Sequence, residues 1–114
     1  MSIQTYQMAQ TATETPRQTE YRLFAQVTRS LIEADKADYP AKVRAVNWNR
    51  RLWLALQADC ASDANQYPDE LRAAIISLAI WVDKHSRKVL RHEADIVPMV
   101  EVNRTIMDGL SEAR

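Results

Sequence analysis

Asp83, His85 and Ser86 are the residue types with which a hydrolase activates a nucleophile, and they lie close together in the chain. Their spacing does not suit the task. On a helix, His85 stands about 200° around the axis from Asp83 and about 100° from Ser86, so one imidazole cannot bond to both partners. A polar patch ending an amphipathic helix accounts for them better. Metal chemistry needs three or four converging ligands, and beyond scattered carboxylates the chain offers Cys60, His85 and His92. The two histidines share a helical face but stand about 10 Å apart along it. A phosphate cradle needs a glycine-rich loop, whereas the single glycine, Gly109, sits near the C-terminus. These residues imply no catalytic site, no cofactor and no bound metal.

Charge and aromatic residues suggest binding instead. Lys84, Arg87, Lys88 and Arg91 form a basic stretch that includes His85 and ends at His92, and Arg50-Arg51 form a basic pair flanked by Trp48, Asn49 and Trp53. Cations beside aromatic rings are the composition of RNA-binding surfaces, so Lys84, Arg87, Lys88 and Arg91 are the candidate contacts for RNA. Against that use, fifteen basic residues are balanced by fifteen acidic ones. The segment after the basic stretch (Glu93, Asp95, Glu101, Asp108 and Glu112 against Arg104) carries an acidic excess of the same size. A solvated face that pairs internally or with a protein is the first reading, and nucleic acid is the alternative. Trp48 and Trp53 lie about 140° apart on one helix, so they cannot both face a single core seam. Trp48 and Trp81 suit a core. Trp53 is expected to be exposed or to cover a groove, and Trp48, Asn49, Arg50, Arg51 and Trp53 are therefore the candidate partner-binding residues. Helical bundles with apolar grooves hold amphipathic helices of their partners.

The elements that position these residues are helical. One glycine in 114 residues leaves almost none of the positive-φ chemistry that hairpins need. Prolines at 16, 40, 68 and 98 each precede a stretch free of breakers, which is where a proline in the first helical turn belongs. The expected fold is all-α, a single domain over residues 1–114 built as a bundle of about five helices. Residues 3–13 read as a short helix in a lightly docked arm (1–14). Thr15-Pro16-Arg17-Gln18 reads as a capping box that opens a helix to about Asp35, with Leu23, Phe24, Val27 and Leu31 inward. Pro40 opens the next, which carries Ala45, Trp48, Asn49, Leu52 and Leu56 on one face and Val43, Val46 and Trp53 on its flank. After a polar loop over 61–67, Pro68-Asp69-Glu70 opens a long central helix, apolar on both faces, whose far end, Lys84 to Arg91, is basic as a helix C-terminus prefers. A final helix puts Met99, Val102, Ile106 and Leu110 inward and stops near Gly109.

A lone cysteine and an N-terminus without a basic or apolar leader point to a cytoplasmic protein. The longest apolar run, Ala73 to Val82, is about half of the roughly 20 residues needed to cross a bilayer, so no membrane contact is expected.

Four strings in fixed order carry a resemblance: Thr19-Glu20-Tyr21-Arg22-Leu23-Phe24 with Val27-Thr28, Trp48-Asn49-Arg50-Arg51-Leu52-Trp53, Ile76-Ser77-Leu78-Ala79-Ile80-Trp81-Val82-Asp83, and Val102-Asn103-Arg104. Together they resemble the bacterial flagellar biosynthesis regulator FlaF family from about Tyr6 to Leu110. The resemblance implies a non-enzymatic cytosolic protein needed for flagellin production and export. It also implies flagellin as direct partner, in the manner of a secretion chaperone, and FlbT as a co-regulator. The alternative is a post-transcriptional regulator that binds flagellin messenger RNA directly or through FlbT. The family brings no catalytic or cofactor residues to transfer.

Overall fold

The computed structural model describes residues 15–112. Within them the chain forms four α-helices and no strand: α1 (Pro16–Asp35), α2 (Tyr39–Ala61), α3 (Asp69–Leu90) and α4 (Val97–Glu112). The further helix expected over residues 3–13 lies outside the described residues.

Local chemistry explains each helix start. At α1 the Thr15 hydroxyl accepts from the Gln18 amide at 3.1 Å and the Gln18 side chain accepts from the Thr15 amide at 2.9 Å, the reciprocal capping box expected from the sequence. At α2 the Asp38 carboxylate caps the Ala41 amide at 3.0 Å, with Pro40 in the first turn. Asp69 and Glu70 occupy the first turn of α3 and Arg87 and Lys88 its last, the charge order that a helix dipole favours.

One helix end matches expectation and one differs. α3 stops at Leu90, at the basic end where the sequence placed it. His92 takes φ 62°, its amide donates to the Val89 carbonyl at 3.0 Å, and the Glu93 amide donates to the Lys88 carbonyl at 2.8 Å. This is the left-handed helix cap usually built on glycine. Gly109, expected to end the last helix, instead lies inside α4. A β-carbon there would meet Leu71 Cδ1 at 3.5 Å, an ordinary contact, so the site does not demand a glycine.

The helices pack around one core, α1 against α2 and α4, and α2 against α3, while α3 and α4 touch more lightly. Leu23, Phe24, Val27 and Leu31 are all buried, as their spacing predicted. Trp53 is not exposed. It is 1% accessible and meets Phe24 edge to face, with ring centroids 5.4 Å apart. The expectation of a groove flanked by Trp53 is therefore corrected: Trp53 enters the core and Trp48 is the half-buried ring.

A buried polar network explains the reversal. The indole Nε1 of Trp53 donates to Asn103 Oδ1 at 2.8 Å. Asn103 Nδ2 donates to Asn49 Oδ1 at 2.8 Å and to Thr28 Oγ1 at 3.1 Å. Asn49 Nδ2 and Ser86 Oγ both point at Met99 Sδ, at 3.8 and 3.4 Å. All four helices contribute, and no buried side-chain nitrogen or oxygen among the described residues lacks a partner. In Asn103→Leu, the Trp53 indole and the Asn49 carbonyl would be left buried and unpaired. Urea denaturation should show a loss of about 2–4 kcal/mol. Gly109→Ala should raise stability by about 0.5–1 kcal/mol, because α4 gains helix propensity without a clash.

Candidate functional site

α2 and α3 form an antiparallel pair whose register is set at two points. Arg50 bonds Asp83 through Nε at 3.2 Å and Nη2 at 2.8 Å, and Arg72 Nε donates to the Cys60 carbonyl at 3.0 Å. Asp83 also accepts from Arg87 at 2.9 Å. The two basic segments of the sequence, around Arg50-Arg51 and from Lys84 to Arg91, thus meet on one outer face and share a carboxylate.

That register brings apolar side chains into the open. Leu54 follows Arg50 by one turn on α2, and Ile80 precedes Asp83 on α3, so the antiparallel pairing sets them level with each other. Leu54 is 50% exposed and Ile80 49% exposed, with Ile76 half-buried beside them. Small exposed side chains, Ala58, Ala73 and Ser77, continue the strip toward the α2–α3 loop. Arg51, Lys84 and Lys88 are exposed at its other end, and neither lysine has an ion pair among the described residues.

The predicted binding residues therefore divide. Arg50 and Arg51 reach this face, Asn49 and Trp53 are buried in the core, and Trp48 is half-buried against it. In the basic stretch, Lys84 and Lys88 have no ion pair among the described residues, whereas Arg87 is held by Asp83 and Arg91 by Glu93 at 3.1 Å. Among the described residues that last pair alone joins the basic stretch to the acidic segment after it, so the broader pairing that the charge balance suggested is not seen. Leu54 was missed. The available signal was its position one turn beyond Arg50, outside the buried stripe of α2. The apolar second face of α3 was visible in the sequence, and Ile76 and Ile80 are the part of it that reaches solvent.

The hydrolase-like trio is dispersed. Asp83 is engaged by the two arginines, and His85 stacks on Trp81 with centroids 4.6 Å apart while its Nε2 donates to the Asp95 carbonyl at 2.7 Å. Ser86 is buried against Met99. Among the described residues no three histidine, cysteine or acidic side chains converge as metal ligands, and no helix is long and apolar enough to cross a membrane.

A cleft of about 880 Å³ lies between the start of α1, the α2–α3 loop and the end of α4, lined by Arg17, Tyr21, Asn65, Tyr67 and Leu110 among others. Its polar groups already engage one another. The Tyr67 hydroxyl donates to the Glu20 carboxylate, Arg17 lies 4.7 Å over the Tyr67 ring, and Asn65 donates to Asp59 at 3.0 Å. Beside this cleft Cys60 is fully buried, and burial, with help from the charges of Glu20 and Asp59, pushes its thiol up to about 11. A thiol so protonated is a poor nucleophile at neutral pH.

Because the folded thiol holds its proton more tightly than the unfolded one, the contribution of Cys60 to stability is fully present below about pH 9 and is lost as pH rises through about 11. Chemical denaturation at stepped pH should show this decline, and Cys60→Ala should flatten it.

Comparison with known proteins adds one match: the family model described as Flagellar protein FlaF aligns with residues 2–110. No curated protein and no solved structure matches the chain.

Proposed function

The chain belongs to the flagellar protein FlaF family, and from that premise we propose that it is a non-enzymatic cytoplasmic protein that holds flagellin before export. The observation that supports this reading is the pair of half-exposed aliphatic residues, Leu54 and Ile80, set level on a rigid helical hairpin. Isolated exposed aliphatic residues are ordinary. Two that align across a seam, with small residues beyond them and cations at one end, make a surface suited to an apolar helical segment of a client protein. A chaperone of this kind shields the client's apolar stripe without chemistry, so it needs a stable platform rather than a catalytic pocket. The buried network beneath α2 and α3 supplies that rigidity.

A second reading, in which the protein binds flagellin messenger RNA directly or through FlbT, draws on Lys84 and Lys88, which have no ion pair among the described residues. It is the weaker one. Arg87 and Arg91 are engaged by neighbouring carboxylates, and phosphate binding would have to displace them.

Calorimetry of purified flagellin with the full chain tests the proposal. Leu54→Ala/Ile80→Ala should weaken binding by about tenfold or more while leaving helicity intact, as expected when a central apolar contact is truncated. Unchanged affinity would refute this face as the flagellin site. Trp53→Ala should behave differently, losing about 3–5 kcal/mol of fold stability because it removes a buried ring.

A further inference from the structure

The outer face of the α2–α3 hairpin is polarised along its length. At one end Arg51, Lys84 and Lys88 are exposed, and Arg87 stands beside them. At the other, Asp69 is fully exposed, though 3.7 Å from the Arg72 guanidinium, and Glu70 is exposed next to it. Between them lies the apolar strip of Leu54, Ile76 and Ile80. From Asp69 to Lys84 the distance along α3 is about 22 Å, or roughly four helical turns.

Resting on the reading of this face as a binding surface, we infer that its occupant is one amphipathic helix of about four turns with carboxylates clustered at one end of its apolar stripe. Those carboxylates meet Lys84, Lys88 and Arg51. Charge complementarity carries the argument. An apolar stripe alone would bind in either direction, because burial of aliphatic surface is not directional. Cations at one end and carboxylates at the other break that symmetry and fix which end of the occupant lies where, and the cationic end is the stronger because Asp69 is shared with Arg72. The cationic end is available for this role because its two lysines have no ion pair among the described residues, while Asp83 already neutralises Arg50 and Arg87 in part. The shallow end, lined by Ala58, Ala73 and Ser77, lets a helix backbone come close.

Two labelled helical peptides of about 18 residues test this, sharing one leucine and isoleucine stripe but carrying either glutamates or lysines at one end. Fluorescence anisotropy with the full chain should show the glutamate peptide binding about tenfold tighter, and the preference should shrink toward unity near 0.5 M salt. Lys84→Glu/Lys88→Glu should reverse the preference, and Leu54→Ala/Ile80→Ala should weaken both peptides. Equal affinity of the two peptides, or a preference that survives Lys84→Glu/Lys88→Glu, overturns the inference. So does a single-stranded RNA that displaces the glutamate peptide at physiological salt. A parallel titration with flagellin separates the two claims. If the peptide preference holds and flagellin does not bind, this inference stands and the flagellin reading fails. If flagellin binds and the peptides show no preference, the reverse follows.

Discussion

The Asn103 side chain is held on both of its polar ends, and much of the structure depends on that. An indole N–H can only donate, so the bond from Trp53 fixes which end of the amide carries the oxygen. The two amide hydrogens then go to Asn49 and Thr28. Two helices, α1 and α2, are thereby tied to one residue of α4, and Ser86 of α3 joins through Met99. An apolar core tolerates small rotations of its helices. A network whose members are all paired does not, since any rotation leaves a buried polar group without a partner.

The orientation of α2 follows from this constraint. With Asn49 and Trp53 turned inward, Arg50 and Leu54 must turn toward the seam with α3, and Arg51 toward solvent. The outer face of the hairpin is thus set from below by residues buried in the core. Asp83 completes it by clamping Arg50 and Arg87, which joins the two basic segments, while Lys84 and Lys88 on the same surface have no ion pair among the described residues.

Most of the fold was legible in the sequence because its signals are local. Thr15 with Gln18, the prolines of the first turns, and the three-four rhythm of Leu23, Val27 and Leu31 act within one or two turns of chain. The basic run Lys84 to Arg91 marked the end of α3, but its left-handed cap was hidden because His92 occupies a position where glycine is the usual marker. Trp53 was misplaced for a related reason. Viewed on its own helix it competes with Trp48 for the core, and what decides between them is Asn103, fifty residues away. Periodicity cannot report a hydrogen bond across the bundle. For the candidate site, Arg50 and Arg51 were found from composition and spacing, while Leu54 gained meaning only from the register that places it level with Ile80. The resemblance to the FlaF family came from whole strings, and the family match over residues 2–110 supports it independently of packing.

The central claim is that the outer face of α2 and α3 is where the protein holds flagellin. Amide hydrogen exchange on the full chain, with and without purified flagellin, tests it most directly, because it maps contact without mutating the fold. The account predicts slowed exchange across residues 51–58 and 73–84, with the segments around Tyr21 and Tyr67 unchanged. Protection confined to the Tyr21–Tyr67 cleft, with α2 and α3 exchanging as in the free protein, would contradict it.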